Sequence, residues 1–149
     1  MKTSSHKTFR GPGGISIARG APRGWTGPRF LQLAPGTWFR HVDPWVYQQR
    51  FEDEVLGRLD PQEVWDKLHL LVPGVEPVLL CWEKPPLRPP PQPGEVVPAR
   101  HQNWCHRRIV ADWFQDELHV TVLELGQPEC PRTRLKGMPE QIGLFEDDD

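Results

Sequence analysis

The chain has 149 residues, of which 18 are Lys or Arg and 20 are Asp or Glu, so its formal charge is −2. This length favours one domain with its own core, and the balanced charge excludes a broadly basic protein that coats nucleic acid. Three cysteines without an apolar N-terminal segment predict free thiols in the cytoplasm, and we expect no membrane span because no apolar run of about 18 residues exists.

The first part of the chain is expected to begin with a flexible segment and then a strand. Residues 1–13 are polar and end in glycine and proline, which is typical of a frayed terminus. The alternation and β-branched residues of 14–18 predict the first strand of a domain that spans 14–126. The glycine-rich loop that follows carries Arg19 and Arg23, which fits an anion-binding loop or an ordinary solvated loop.

Two helices with clear start signals are expected next. Asp43 followed by Pro44 suits a helix cap and the first helical position. Asp60 with Glu63 three residues later forms a capping box, and Pro73-Gly74 ends that helix. An apolar stripe at four-residue spacing marks the first of the two: Tyr47, Phe51, Val55 and Leu59. These helices are interpreted as scaffold.

The stretch 76–125 predicts a strand, a long loop, a helix and a second strand. A strand is expected over 76–81, in which 78–81 is a continuous apolar run suited to a central parallel strand, and 85–98 is a proline-rich loop insert. Apolar residues recur at helical spacing from residue 109, and the second strand is expected over 119–125. Ligands collect where strand ends meet helix N-termini in parallel sheets, so we expect the functional site at this junction.

The residues at that junction suggest thiol chemistry. Cys105 lies at the predicted helix start, where the helix dipole and nearby cations stabilise a thiolate nucleophile. His106 or His101 is the candidate proton-transfer partner, and Glu83 is the candidate general base. Cys81 is interpreted as a second catalytic thiol, a metal ligand or a core residue, and Cys105 could also be core filler. Neighbouring helical side chains point about 100° apart, so direct contact between Cys105 and His106 is not assured.

Basic residues and possible metal ligands complete the candidate site. Arginine favours bidentate contact with phosphate. The predicted anion-binding set is Arg19, Arg23, Arg107 and Arg108. A metal site from Cys81, Cys105, His101 and His106 lacks the usual spacing of structural zinc sites. No cofactor is therefore expected, with a metal at Cys81, Cys105 and His106 as the alternative.

Several motifs resemble the bacterial and phage family called domain of unknown function 488, over roughly residues 14 to 125. They are Ile15-Ser-Ile-Ala-Arg-Gly-Ala-Pro-Arg23, Leu33-Ala-Pro35, Tyr47-Gln-Gln-Arg-Phe51, Leu79-Leu-Cys-Trp-Glu83 and Cys105-His-Arg-Arg-Ile-Val-Ala111. The resemblance implies a compact α/β domain and no established reaction. It also implies that one site groups Cys81, Glu83, Cys105, His106 and Arg107. The proline-rich insert departs from the family pattern, although lengthening a surface loop costs little.

The segment 127–149 is expected to be a loop and acidic tail that carries a partner motif. Gln141-Ile-Gly-Leu-Phe145 resembles the Gln-x-x-Leu-Phe peptide by which bacterial repair and replication proteins dock on the sliding clamp. Leu144 and Phe145 would be the apolar anchors, and Gln141 would be held by hydrogen bonds. A chance match, or packing of Leu144-Phe145 on the core, is the alternative.

The sequence therefore predicts a single three-layer, Rossmann-like α/β domain with a mostly parallel sheet. Its predicted function is to bind or act on a nucleotide or nucleic-acid component in DNA metabolism, and the sequence leaves open whether it is an enzyme. The alternatives are a non-catalytic DNA-linked binding module recruited through its tail, and a small metal or redox protein that uses Cys81 and Cys105.

Overall fold

A computed structural model describes residues 1–98 and 103–135 of the chain. The strands and α-helices of this part are, in chain order, β1 (Lys2–Ser5), β2 (Gly14–Ser16), α1 (Pro44–Arg50), α2 (Pro61–Leu71), β3 (Val78–Cys81), α3 (His106–Leu118) and β4 (Leu123–Glu124). The sheet order is β2-β3-β1-β4, and every neighbouring pair is parallel. The predicted α/β class with a parallel sheet is confirmed. None of the described helices is long and apolar enough to cross a membrane.

Strand β3 lies inside the sheet, as its apolar sequence predicts. All four of its residues are buried, and it pairs with β1 on one side and β2 on the other. A strand covered on both faces needs apolar side chains in both directions, which explains why its sequence is continuous and does not alternate. The carboxyl end of β3 at Cys81 is thereby fixed in the interior.

The N-terminal segment is a correction to the sequence analysis, which expected 1–13 to be flexible. Residues 2–5 form β1, which pairs with both β3 and β4. The hydroxyl of Thr3 donates to Glu124 Oε1 at 2.7 Å, and that of Ser5 donates to the carbonyl of Trp82 at 2.9 Å. These buried hydroxyls find partners far along the chain, so the polar composition concealed an interior strand.

The last strand is shorter than predicted and lies at the edge of the sheet, beside β1. The strand expected over 119–125 is reduced to Leu123–Glu124, after a left-handed residue at His119 (φ 58°) ends α3. It pairs with Lys2 and Thr3. Because β1 separates them, β3 and β4 are not adjacent.

The predicted helix starts agree with the structure. Helix α1 begins at Pro44 after Asp43, and a π-helical segment at Phe51–Val55 directly follows it. At the start of α2, the Asp60 carboxylate accepts a hydrogen bond from the Gln62 amide at 3.1 Å. The helices cover one continuous core, whose fully buried members include Phe51, Leu68, Leu79, Ile109 and Phe114.

The domain extends beyond the boundary predicted at residue 126. The segment 127–135 is irregular, yet the Thr133 amide donates to the buried carboxylate of Asp112 at 2.6 Å. Arg134 Nε donates to Glu52 Oε1 at 3.0 Å, and both side chains are buried. Residues up to 135 therefore belong to the folded unit, because buried charges are stable only when paired.

Candidate functional site

The carboxyl end of β3 and the start of α3 meet at a cavity of about 610 Å³. Cys81 is the last residue of β3, Cys105 immediately precedes α3, and His106 is its first residue. Glu83 follows β3 by two residues and lines the same cavity. The junction predicted from the sequence thus forms one concave site.

Cys81, Cys105 and His106 converge tightly at this cavity. The Nδ1 atom of His106 lies 3.6 Å from Cys81 Sγ and 3.9 Å from Cys105 Sγ. All three side chains are almost fully buried, although they line the cavity. The three potential ligand atoms lie within 4.8 Å of one another.

The backbone at Cys105 explains how two sequence neighbours reach the same point. Cys105 is extended (φ −152°, ψ 143°) and His106 begins the helix. The 100° divergence expected for two helical neighbours therefore does not apply, because only one of the pair is helical. The helix-start signal placed the pair correctly, and the extended cap residue brings them together.

The hydrogen bonds of His106 define its tautomer. Its Nε2 lies 2.9 Å from the carbonyl oxygen of Ile17, an atom that can only accept. Nε2 therefore carries the proton, and in the neutral ring Nδ1 presents its lone pair to the two sulfur atoms. The ring of Phe51 packs edge-on against the imidazole at 5.3 Å and fixes its plane.

The two thiols differ in their tendency to ionise. Burial opposes ionisation of Cys105, but hydrogen bonding from Cys81 and the charge of Arg107 hold its pKa well below the ordinary range. The hydrogen bond to Cys105, together with burial, raises the pKa of the Cys81 thiol well above its ordinary value. Ionisation is therefore favoured at Cys105 over Cys81.

The Glu83 carboxyl group stands beside this pair. Burial raises its pKa to about 7, and the charge of Cys105 and a hydrogen bond with it act in the same direction. Such a carboxyl group exchanges its proton near neutrality, which is the property of a general acid or base.

The cavity walls combine aromatic rings with cationic groups. The rings of Phe39, Tyr47, Trp82 and Trp104 line it, and Tyr47 packs edge-on against Trp104 at 4.7 Å. Arg19 and Arg40 also line it, and one guanidinium nitrogen of Arg19 donates to the Pro35 carbonyl at 3.1 Å. Flat rings stack against flat ligands, and guanidinium groups bind anions.

Three of the four predicted anion contacts lie elsewhere. Arg107 is fully buried and pairs with Glu124 at 2.6 Å. Arg108 is buried and donates to the Thr3 hydroxyl at 2.8 Å and to the Val122 carbonyl at 2.9 Å. Arg23 lines a separate, smaller cavity next to His6. Of the predicted set, Arg19 alone lines the cavity at Cys105, because tertiary pairing drew the helix arginines inward.

Arg40, Tyr47, Trp82 and Trp104 are site residues that the sequence analysis did not predict. Trp82 lies between Cys81 and Glu83, so its position in the motif was a usable signal. Tyr47 was assigned to a helix stripe, and Arg40 lies in a short turn at Thr37–Arg40 without any periodic pattern. Their place at the cavity depends on how α1 packs and is not encoded locally.

Two predictions fall outside the described residues: His101 as proton partner, and the tail motif of Gln141, Leu144 and Phe145. Comparison with protein families, curated proteins and solved structures finds no match. The resemblance to the family of unknown function therefore stays a prediction.

Proposed function

We propose that the protein is an enzyme that binds and acts on a nucleotide-class compound in this cavity. The cluster of Cys81, Cys105 and His106 would be its reactive centre, with Glu83 as the neighbouring proton-transfer group. The observation that supports this most is that a single cavity combines two cysteines with a histidine, a carboxyl group, aromatic walls and two arginines.

A nucleotide fits the chemistry of the walls. A base has two flat faces that stack on aromatic side chains, and its phosphate suits the planar fork of arginine. Trp82 and Trp104 supply exposed ring surface, while Arg19 and Arg40 supply positive charge. The cavity of about 610 Å³ lies within the range of about 300–1,000 Å³ that is typical of small-ligand sites, which favours a mononucleotide over a long polymer.

The reactive centre lies in the wall of this cavity, where its three side chains are almost fully buried. A thiolate is the form of cysteine that attacks electrophiles and that binds metal ions, and the hydrogen bond from Cys81 and the charge of Arg107 lower the pKa of Cys105. Glu83 lines the cavity beside it, within reach of a ligand that occupies the same space. A substrate whose base stacks on the walls would present a reacting atom to this cluster.

Ligand binding by the full-length chain tests the proposal. Nucleosides, mononucleotides and orthophosphate are titrated while tryptophan fluorescence is recorded, since Trp82 and Trp104 lie at the site. We expect mononucleotides to bind best and Arg40→Met to weaken them about 10- to 100-fold, the value of one charge-assisted hydrogen bond. Arg58→Met is the matched control, because Arg58 is also an exposed arginine and does not line the cavity.

Turnover is then measured by chromatography of each bound compound. The proposal requires that a compound be consumed by the native protein and left intact by Cys105→Ser. A non-catalytic binding module predicts the same effect of Arg40→Met with no compound consumed. If no nucleotide binds, both the proposed enzyme and the non-catalytic binding module are refuted.

A second candidate role, recruitment to DNA, is supported by the tail sequence Gln141-Ile-Gly-Leu-Phe145. Under it, the protein acts in DNA metabolism on a sliding clamp. The full-length chain is expected to bind a purified bacterial clamp in a pull-down. A Leu144→Ala/Phe145→Ala double variant should not bind, because apolar anchors dominate such contacts. Equal binding of both proteins would contradict the role.

The architecture, family and compartment belong to the same proposal. The parallel sheet supports a three-layer, Rossmann-like arrangement. The quoted motifs support the family of unknown function 488, and three cysteines without a disulfide support a cytoplasmic location.

A further inference from the structure

We infer that Cys81 Sγ, Cys105 Sγ and His106 Nδ1 form a three-ligand site for a zinc-class divalent cation, whose fourth coordination position faces the cavity. The inference deepens the proposed function by naming the species at the reactive centre. It rests on that function only for the use of the open position, since the ligand geometry stands by itself.

The separations between the histidine nitrogen and the two sulfur atoms suit a tetrahedral site. With Zn–S near 2.3 Å and Zn–N near 2.0–2.1 Å, a tetrahedral ion places sulfur and nitrogen about 3.6 Å apart. The observed separations from His106 Nδ1 are 3.6 Å to Cys81 Sγ and 3.9 Å to Cys105 Sγ. These two separations differ from the tetrahedral value by at most a few tenths of an ångström, and the two sulfur atoms lie within 4.8 Å of each other.

The histidine is oriented as a metal ligand. Its Nε2–H donates to the Ile17 carbonyl, the kind of outer contact that metal-bound imidazoles make through their second nitrogen. The single lone pair of Nδ1 faces both sulfur atoms. A cation between the three atoms would accept this lone pair and bind both sulfur atoms at the same time.

The donor set also selects the type of metal and site. Two thiolates and an imidazole are soft to borderline ligands that suit zinc, and two thiolates balance the charge of a dication. That balance matters because Cys81 and Cys105 are buried. Among residues 1–98 and 103–135, no fourth histidine, cysteine or carboxylate meets the same spacing. Three protein ligands with one open position are characteristic of catalytic zinc sites, whereas structural sites are closed.

The test uses the full-length chain after treatment with a chelator. Co²⁺ is titrated as a spectroscopic substitute for Zn²⁺, and we expect one ion per chain, visible bands of tetrahedral cobalt and a thiolate-to-cobalt charge-transfer band. Zn²⁺ should displace the cobalt, because it binds nitrogen and sulfur sites more tightly. It should also protect Cys81 and Cys105 from alkylation while leaving Cys130 reactive.

Single variants identify the ligands. Cys81→Ser and Cys105→Ser should each weaken the charge-transfer band and lower metal affinity at least about tenfold, a loss that outer-shell changes alone can cause. Cys130→Ser is the matched control, because this cysteine packs near the cluster without belonging to the three-ligand set. It should bind cobalt as the native protein does.

The native protein alone can overturn the inference, so misfolded variants do not decide it. Absence of cobalt binding, a cobalt spectrum without the thiolate band, or unchanged alkylation of Cys105 with Zn²⁺ would each do so. Metal binding without nucleotide binding would leave the metal site standing and refute the proposed function. If the protein binds no metal but turns over a nucleotide, the metal site is refuted and the proposed function stands.

Discussion

The buried ion pair between Arg107 and Glu124 should dominate the stability of the sheet. Two hydrogen bonds join them, from Nε at 2.9 Å and from Nη2 at 2.6 Å, and both side chains are fully inaccessible to solvent. Replacing Arg107 by Met leaves a buried carboxylate that has lost its ion-pair partner. Breaking such a pair from one side costs about 3–5 kcal/mol, most of it the penalty of the unpaired charge.

The loss of stability is measured by unfolding the protein in urea while its circular dichroism is recorded. We expect Arg107→Met to lower the free energy of unfolding by about 3–5 kcal/mol, which corresponds to a fall in Tm of about 10–15 °C for a domain of this size. Lys67→Met is the control, because Lys67 pairs with Glu63 at 2.9 Å with both side chains about half exposed. Its cost should stay within about 0.5 kcal/mol.

A double variant separates the pair from the packing of the arginine. Adding Glu124→Gln removes the stranded charge, and should restore about 1–3 kcal/mol relative to Arg107→Met alone. If Arg107→Met costs no more than Lys67→Met, or if Glu124→Gln destabilises it further, the argument from burial of the pair is refuted.

The remaining predictions concern β3, α2 and β1. Leu79→Ala should lower the free energy of unfolding by about 2–5 kcal/mol in the same urea titration, because Leu79 is fully buried. The control Leu70→Ala changes a side chain that is 76% exposed and should cost less than about 0.5 kcal/mol. Equal losses in the two variants would contradict the placement of β3. Asp60→Ala should cost about 1 kcal/mol by removing the cap of α2, and Asp60→Asn should retain most of that stability. Deletion of residues 1–5 should abolish cooperative unfolding, since it removes β1 from the middle of the sheet; a sharp transition in the truncated protein would contradict this.

The elements predicted correctly are those whose signals are local. A run of four apolar residues identifies β3, and an aspartate before a proline identifies the starts of α1 and α2. Strand β1 escaped prediction because Thr3 and Ser5 are polar, and their burial depends on partners that only the folded chain supplies.

The candidate site likewise contains some residues that local sequence signals predict and others that depend on tertiary packing. The rule that ligands bind where parallel strands end brought Cys81, Cys105 and His106 together, because β3 and α3 were both recognisable. Arg107 and Arg108 were assigned to the site because they follow Cys105 at the predicted junction and arginine favours bidentate contact with phosphate. Their burial against Glu124 and Thr3 is a long-range effect, and no pattern within α3 reveals it.

The position of β1 between β3 and β4 constrains how the chain can be made. Strand β1 is translated before both of its partner strands, and Lys2 must pair with both Val78 and Leu123. The sheet therefore cannot close until almost all of the described chain has been translated, and pairings this distant make folding slow. Until then at least one edge of β1 offers unpaired backbone groups, which is a hazard for aggregation during synthesis. Production of the protein should accordingly benefit from slow translation and from chaperones that hold early segments apart.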